Sequence, residues 1–336
     1  MAPYTVGILG AGLVTQAVHI PSLARLDGRL VVSRVMDPDL ELAARVAAPL
    51  SAEPTASVDD VLLDTTLDVL VICSPHSAHA RQLIESVAAS PRRVVLCEKP
   101  LTTSREDLTA LGALTSSPAR VVVGAMHMFD PVWRKSLSSW QETGARPRTI
   151  RSSLVLPPNA VFESVATEVQ SPPRSAAQHS RSDAIGGAVL GLAVHDLPLI
   201  RRLAPVATPK VRHATWLEPY GYVIELDAGG VDVVLTGVVT EGEHPTWRLE
   251  SHGPEASLEI EFPPSYVAAG SSTATLSRPG SRQHFSRDTS NGYLDEWRTI
   301  IRILDGVESA PPLTDLIDDM AFTLTVAEGA LEAVAR

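Results

Sequence analysis

Short apolar runs alternate with amphipathic stretches over the first 126 residues. The runs lie near residues 5–9, 30–36, 69–73, 94–97 and 121–125, and apolar positions between them recur at helical spacing. Each run is continuously apolar, which is typical of strands that helices cover on both faces. The pattern therefore predicts a doubly wound α/β domain with a parallel sheet over residues 1–126.

A different rhythm begins near residue 150, where apolar and polar positions alternate. This alternation predicts an α+β domain over residues 127–312 with an open, mostly antiparallel sheet. One face of such a sheet is available to a partner subunit, so we expect a homodimer or homotetramer. The alternating runs are residues 150–156, 211–217, 221–226, 231–239, 246–251 and 256–262.

A proline-rich segment and a helical C-terminus complete the chain. Residues 157–183 hold four prolines and predict a loop over a pocket, where Arg174, His179 and Arg181 could meet an anionic substrate. Residues 313–336 predict a C-terminal helical segment, with packing against the first domain as one option. An apolar face that predicts the preceding helix is formed by Leu294, Trp297, Ile300, Ile301 and Leu304.

Composition narrows the class of partner. The 336 residues carry a net charge of −11 and are 44% hydrophobic, which disfavours general binding to nucleic acids or anionic membranes and favours a small-molecule substrate. No apolar stretch is long enough to span a bilayer, and we expect a cytoplasmic protein. The two cysteines, Cys73 and Cys97, end buried strands as small hydrophobes.

A glycine turn, Gly10-Ala11-Gly12, follows the first strand and leads through Leu13 and Val14 into a helix. Such a turn, as in Rossmann folds, lets the backbone approach a pyrophosphate and directs helix N–H groups at its charge. The usual third glycine is replaced by Thr15, whose β-branched side chain adds bulk where helix and strand pack. An ordinary strand-turn-helix without a ligand is the alternative.

Asp37 follows the second strand, where Rossmann folds place the carboxylate that binds the adenosine ribose. Its charge would repel a 2′-phosphate, so we favour NAD over NADP. Arg34 and Arg45 lie close enough in sequence to keep NADP open. The alternative is a turn residue at a strand end before Pro38.

Several motifs in order make the chain resemble the Gfo/Idh/MocA family, the glucose-fructose oxidoreductase and inositol dehydrogenase group, over nearly its whole length. The most specific is Glu98-Lys99-Pro100. The resemblance implies that Ser74, Pro75, His76, His79, Glu98 and Lys99 contact the cofactor. The other matching segments are Gln16, His19 and Pro21 after the glycine turn, Phe129-Asp130-Pro131, and Gly186-Gly187 through His195-Asp196.

In this family the signature lysine lies beside the nicotinamide, which implies that Lys99 binds the substrate oxygen or tunes proton transfer. An ammonium near a developing alkoxide stabilises its charge, and partial burial lowers a lysine pKa towards the working range. Glu98 would orient Lys99 or face the ribose. The alternative for Lys99 is a solvated residue at a strand end.

The chain departs from the family at Gly191, where a catalytic helix commonly carries an aspartate one turn before its histidine, here His195. Three explanations are open: His195 works alone, another group such as His127, His179 or Asp196 supplies the function, or alcohol oxidation is lost. Asp196 would project about 100° away from His195 on a helix and would instead pair with Arg201 or Arg202. His127, just after the fifth strand, is the better candidate.

These observations predict an NAD(H)-dependent oxidoreductase that acts on a sugar, cyclitol or related carbonyl or imine compound, with Lys99, His195 and His127 as candidate proton-transfer residues. Reduction is as plausible as oxidation. The alternatives are a catalytically silent dinucleotide-binding sensor or regulatory subunit, and redox-assisted lyase or glycosidase chemistry with retained NAD. No metal is expected, because the histidines lack zinc-ligand spacing.

Overall fold

The computed structural model describes residues 2–157, 181–204, 208–240, 245–263 and 269–336. These residues form two compact units that interleave along the chain. The first contains residues 2–125 and 296–320, and the second contains the described part of 126–295 together with 321–336. Residues 296–312, expected in the second domain, thus group with the first unit. The division at residues 126 and 312 stays a prediction about domains.

The first unit is built on a parallel sheet in the order β3-β2-β1-β4-β5-β6. This order and the parallel pairing confirm the predicted doubly wound sheet. The sequence pattern missed β3, because it has only three residues, includes Pro54 and lies at the sheet edge. The strands are β1 Tyr4–Leu9, β2 Leu30–Met36, β3 Glu53–Thr55, β4 Val69–Ile72, β5 Val94–Glu98 and β6 Arg120–Gly124.

Helices cover both faces of this sheet, which explains why β4 is fully buried along its length. Local capping fixes two helix starts: the Asp39 carboxylate accepts hydrogen bonds from the N–H groups of Glu41 and Leu42, and Ser104 Oγ accepts one from Asp107. The α-helices of this unit before residue 125 are Ile20–Leu23, Leu40–Ala47, Asp59–Leu62, His79–Ala89 and Arg105–Gly112.

The second unit contains a mixed, mostly antiparallel sheet in the order β14-β13-β12-β11-β7-β10-β9-β8. Only β7 and β10 pair in parallel among its ladders within the described residues. The prediction of an open, mostly antiparallel sheet is confirmed, although β13 and β14 were missed because they are rich in Ser, Thr and Arg. The strands are β7 Thr149–Leu156, β8 Lys210–Trp216, β9 Gly221–Asp227, β10 Asp232–Val239, β11 Thr246–His252, β12 Ser257–Phe262, β13 Thr273–Arg278 and β14 Ser281–Phe285.

The core of this unit lies between helices and one face of the sheet. Along β12, Leu258, Ile260 and Phe262 are buried whereas Glu259 and Glu261 are exposed, so the opposite face is polar. The helices of the second unit's segments are Pro131–Glu142, Arg181–Gly191 and Leu197–Leu203; at the C-terminus, Gly292–Leu304 and Leu313–Val334 continue from one unit into the other.

The segment expected to be a loop over 157–183 falls mostly on residues 158–180, which lie outside the described residues, as do Arg174 and His179. At its C-terminal end the expectation was wrong, since a helix already begins at Arg181. Among the described residues no single helix is long and apolar enough to cross a membrane, and one bent pair, Ala184–His195 with Leu197–Leu203, passes on length and composition alone.

A glycine in β10 allows an aromatic side chain to pack across the sheet. A Cβ atom at Gly237 would lie 2.7 Å from the ring of Tyr222, which is fully buried. We expect Gly237→Ala to lower the free energy of unfolding by about 2 kcal/mol through overpacking, as measured by urea denaturation. Gly187→Ala is the control, because nothing lies within 4 Å of that Cβ; this helical, exposed position should become more stable by up to about 1 kcal/mol. Equal effects at both positions would contradict the packing argument.

Candidate functional site

The glycine turn after β1 requires one glycine for close approach and leaves space at the other. Gly10 has φ +99°, and a Cβ atom there would lie 2.5 Å from the carbonyl oxygen of Cys73, so only glycine fits. A Cβ at Gly12 would meet no atom within 4 Å. Leu13 is half-buried and Val14 is exposed. The turn therefore packs tightly against the end of β4 on one side and is open at Gly12.

Thr15 closes the turn rather than obstructing it. Its side chain is fully buried, and Oγ1 donates a 2.6 Å hydrogen bond to the Gly10 carbonyl. Gln16 Nε2 donates a 2.7 Å bond to the Ala11 carbonyl. A short π-helix, Thr15–His19, then begins the helical segment. Both turn carbonyls thus bond to side chains of the helix start, which explains how the chain dispenses with the third glycine.

Asp37 is anchored to the glycine turn. Its Oδ2 accepts a 2.9 Å hydrogen bond from Ala11 N–H, and its Oδ1 accepts one from Asp39 N–H at 3.0 Å. The first contact brings the carboxylate to the glycine turn, while the second is the turn contact of the alternative interpretation. Arg34 faces other partners, with Nε 3.0 Å from Asp64 and a terminal nitrogen 3.1 Å from Glu53.

The loop after β4 is joined to the residues after β5 by a histidine. The His79 ring is buried, and its two nitrogens lie 2.8 Å from the Pro100 carbonyl and 2.9 Å from the Ser74 carbonyl. Ser74 Oγ donates to Gln82. The His76 ring lies edge-on to His79; partial removal from water and the charges of His79 and Lys99 lower the pKa of His76 to about 4. Pro75 is exposed at the start of this loop.

A buried ion pair involves Glu98, the residue before Lys99. His19 Nε2 is 3.1 Å from Glu98 Oε1, and Trp297 packs edge-on against the His19 ring. Burial opposes protonation of His19, but neighbouring Cys73 and Glu98 outweigh it and raise the pKa of His19 well above its usual value. Glu98 fits only because its neighbour on β6 is Gly124, where a Cβ would lie 2.6 Å from Oε1.

Lys99 directly follows β5 and the Glu98 of this pair. Its backbone N–H donates a 3.1 Å hydrogen bond to Glu98 Oε2, and the Lys99–Pro100 peptide is cis. Burial lowers the pKa of Lys99 below its ordinary value, although the Glu98 carboxylate acts in the opposite direction. Lys99 is half-buried, and this removal from water weakens the preference of its side chain for the charged form.

These features fit a dinucleotide. The open space at Gly12 and the close approach at Gly10 suit a backbone that contacts a pyrophosphate. The Asp37 carboxylate at the end of β2 suits a ribose diol. Ser74 and His79 follow β4, Glu98 ends β5 and Lys99 follows it. The carboxyl ends of these strands meet at the same edge of the sheet as the turn.

In the second unit, Asp196 is a buried acceptor for neutral donors. Ser152 Oγ donates to its Oδ2 at 2.6 Å and Trp247 Nε1 donates to its Oδ1 at 2.7 Å. His127 Nδ1 lies 3.9 Å from Oδ1. The expected pairing with Arg201 or Arg202 was therefore wrong, because two donors from the sheet already bind the carboxylate.

His127 is enclosed by aromatic side chains. Its ring stacks on Phe262 with centroids 4.0 Å apart, meets the edge of Trp247 at 4.5 Å and lies 6.0 Å from the His195 ring. Only about 5% of its surface is exposed. The structure therefore brings His127, Asp196 and His195 into one cluster of the second unit, with His195 the more exposed histidine.

The helix that was expected to carry His195 ends at Gly191. His195 lies on the short 3₁₀ turn Ala193–His195, and its ring meets Trp247 edge-on at 5.5 Å. Gly191 and His195 are therefore not one turn apart on a continuous α-helix. A Cβ atom at Gly191 would meet the hydroxyl of Tyr220 at 3.7 Å.

Comparison with known proteins places the first unit in a family. Residues 4–125 match the model of an oxidoreductase family with an NAD-binding Rossmann fold, Gfo/Idh/MocA. An inositol 2-dehydrogenase of Rhizobium meliloti is 25% identical over 98% of this chain and 96% of its own length. Residues 4–125 therefore form an NAD-binding domain of the Gfo/Idh/MocA type. The resemblance read from the sequence is confirmed.

Further proteins match this chain in part of the sequence or in fold. An inositol 2-dehydrogenase of Leifsonia xyli subsp. xyli is 34% identical, and this match spans 38% of each chain. The solved structure of a 3-ketoreductase from Actinomadura kijaniata in complex with NADP has a TM-score of 0.73 and 18% identity, and the match covers 97% of each chain. The structural likeness shows the shared fold.

Sequence reasoning missed several residues that shape the two clusters. Ser152 and Trp247 looked like ordinary strand residues, and no local signal pointed to their shared acceptor. Gly124 lies near the end of an apolar run, and nothing in the sequence indicates that a side chain at this position would contact Glu98. Within the described residues no group of three or more His, Cys, Asp or Glu side chains is arranged to hold a metal ion.

The buried His19–Glu98 pair predicts a pH-dependent contribution to stability. We expect Glu98→Gln to lower the free energy of unfolding by about 3 kcal/mol at pH 6, because it leaves a buried imidazolium without its carboxylate. The folded-state pKa of His19 is raised above 6.5, so this stabilisation is complete below about pH 6.5 and is lost as the pH rises through the raised value. Urea denaturation at several pH values should therefore show the two proteins converging at alkaline pH.

Glu85→Gln is the matched control for that experiment. Glu85 pairs with Arg81 on an exposed helix surface at 3.1 Å, and such pairs contribute about 0.5 kcal/mol or less. A difference between wild type and Glu98→Gln that does not change with pH would contradict the charged state assigned to His19.

Proposed function

We propose that this chain is an NAD(H)-dependent oxidoreductase that transfers a hydride to or from a sugar, cyclitol or related carbonyl or imine compound. The observation that carries the proposal is Lys99, a half-buried lysine of lowered pKa that follows a buried carboxylate at the carboxyl end of β5. When bound, the dinucleotide would supply the hydride in reduction and accept it in oxidation, and the chain supplies proton transfer and orientation. The named inositol dehydrogenases among its relatives support the substrate class.

Lys99 is the proposed proton-transfer group. In reduction, its ammonium donates a hydrogen bond to the substrate oxygen and then a proton as negative charge develops there. In oxidation, the same amine accepts the proton. The lowered pKa makes both protonation states accessible at a smaller free-energy cost than for an exposed lysine. Glu98 holds the Lys99 backbone through its N–H and remains charge-balanced by His19.

His195 is the proposed second proton-transfer residue, since it is more exposed than His127 and borders the Asp196 cluster. His127 lies between Phe262 and Trp247, an enclosure that suits support of its neighbours better than direct contact with a substrate. This assignment gives the second unit an imidazole that acts without a carboxylate at position 191.

NAD is the proposed cofactor in preference to NADP. Asp37 presents a carboxylate beside the glycine turn, and Arg34 is engaged by Asp64 and Glu53 rather than directed at a 2′-phosphate. The similar 3-ketoreductase was solved with NADP, so a preference for NADP over NAD is the competing outcome that the experiment must distinguish. A cytoplasmic location and assembly as a homodimer or homotetramer stay predictions.

The absence of a carboxylate at Gly191 favours a second candidate, a catalytically silent dinucleotide-binding sensor or regulatory subunit. Such a protein would bind NADH and show no turnover with sugars, cyclitols and ketones. Redox-assisted lyase or glycosidase chemistry with retained NAD would instead show turnover with no net change in NADH absorbance.

We expect Lys99→Ala to lower kcat/KM about 10³-fold, because general acid–base groups contribute about 10²- to 10⁴-fold. The dissociation constant for NADH, measured by nicotinamide fluorescence, should stay within about twofold, since the binding turn and Asp37 are untouched. Lys135→Ala is the control, because Lys135 is exposed and lies 3.9 Å from Asp288 on the second unit. Turnover in Lys99→Ala equal to wild type would remove this lysine from the mechanism.

We expect the protein to bind NADH at least about tenfold more tightly than NADPH, which corresponds to about 1.4 kcal/mol of repulsion between Asp37 and a 2′-phosphate. Asp37→Asn should reduce this preference, because it removes the charge and keeps the shape. Parallel fluorescence titrations of both proteins with both dinucleotides measure the effect. Tighter binding of NADPH by wild type would overturn the role of Asp37, and binding of neither would overturn the proposed function.

A further inference from the structure

Gly191 lacks a side chain, and a Cβ atom built at this position would point towards the hydroxyl of Tyr220. An ideal Cβ at Gly191 lies 3.7 Å from the hydroxyl oxygen of Tyr220, and among the described residues no other atom outside the local helix lies within 4 Å. This is ordinary van der Waals distance. The Tyr220 hydroxyl is therefore close to the space that a carboxylate attached at this position would enter.

The backbone of Tyr220 is fixed by the sheet. The Val239 N–H donates a 2.9 Å hydrogen bond to the Tyr220 carbonyl, and the Leu217 N–H donates one to Gly221. Gly221 is itself confined, since a Cβ there would lie 2.6 Å from the Gly237 carbonyl. The Tyr220 position follows from the β8–β9 connection, about thirty residues along the chain from the helix end that it approaches.

The ring of Tyr220 is held edge-on against Trp216, with centroids 5.3 Å apart. About 36% of the residue remains exposed, so the side chain is both positioned and accessible. Burial of the remainder raises the pKa of Tyr220 above its ordinary value. The phenol therefore keeps its proton at neutral pH and is available as a hydrogen-bond donor.

We propose that Tyr220 contacts the substrate in the second unit and supplies, with its O–H group, the polar contact that a side chain at Gly191 does not. The inference rests on the proposed function and extends it to substrate choice. A carboxylate only accepts hydrogen bonds and so selects a hydroxyl, whereas a phenol can also donate. Tyr220 therefore allows a carbonyl oxygen at this position: the carbonyl can only accept and depends on the proton of the phenol, whereas a hydroxyl both donates and accepts and depends on it less.

Equilibrium binding tests this choice without turnover. Each probe pair differs at one oxygen: 2-keto-myo-inositol against myo-inositol, and D-glucono-1,5-lactone against D-glucose. Ketone and lactone are titrated calorimetrically into the protein saturated with NAD⁺, and the polyol and sugar into the protein saturated with NADH, so that no hydride transfer occurs. The pair that wild type binds is then followed in the variants.

We expect Tyr220→Phe to weaken binding of the carbonyl member about 3- to 10-fold, the loss of one hydrogen bond, and to change binding of the hydroxyl member less than twofold. Gly191→Asp should shift the preference towards the hydroxyl member, because it places a carboxylate beside the phenol. Tyr4→Phe is the matched control, since the Tyr4 hydroxyl bonds Asp305 in the first unit. The ring of Tyr220→Phe can still pack on Trp216, and an unchanged thermal midpoint checks this.

A purely structural role for Tyr220 predicts that both members of a pair weaken together, and that result would overturn the inference. Unchanged binding in Tyr220→Phe, with turnover retained in wild type, would overturn it and leave the proposed function standing. Selective loss of the carbonyl member in a protein without turnover would support the contact and overturn the proposed oxidoreductase activity. Failure of wild type to bind any probe would overturn both the contact and the proposed substrate class.

Discussion

The buried carboxylate of Glu98 is the constraint on which the nucleotide-binding unit depends. A carboxylate removed from water is costly unless a charge and hydrogen bonds compensate it, and here His19 supplies the charge at 3.1 Å and the Lys99 backbone supplies a donor. Gly124 must lack a side chain to leave room for it. Lys99 is the next residue, so the geometry that satisfies Glu98 also sets where the lysine begins.

The second unit also buries a carboxylate, that of Asp196, and compensates it with neutral hydrogen-bond donors. Asp196 is as deeply buried as His19, yet its oxygens accept from Ser152 and Trp247, and the Nδ1 atom of His127 is 3.9 Å away. Hydroxyl and indole donors hold the carboxylate without a full positive charge. Trp247 also meets the rings of His127 and His195 edge-on, so one indole positions a carboxylate and two imidazoles. The Ser152 hydroxyl, the Asp196 carboxylate and the two imidazoles thus lie in one cluster around Trp247.

Local pattern predicted the strands and the motifs at their ends, because burial on both faces gives continuous apolar runs such as residues 94–97, and because glycine turns have fixed spacing. It missed β3, β13 and β14, which are short or polar and gain their place from a neighbouring strand. The contacts within the candidate site were beyond it for a physical reason: Glu98 meets a residue 79 positions away, and Asp196 meets one 51 positions away. Thr15 shows the same limit. Its hydroxyl donates a hydrogen bond to the Gly10 carbonyl, and the sequence alone did not indicate that a threonine could take the place of the third glycine in this way.

The missing carboxylate at Gly191 and the buried pair at His19 and Glu98 bear on whether the protein is an enzyme. Buried ion pairs are weak sources of stability, and well-packed apolar side chains of similar volume often stabilise a fold as well or better. A protein that only binds a dinucleotide would gain little from a buried imidazolium and carboxylate next to a lysine. For a lysine that changes its protonation state, the pair fixes the position of the backbone and places defined charges nearby. The altered residue in the second unit adjoins a phenol rather than an empty space. Together these features favour altered substrate recognition over lost chemistry.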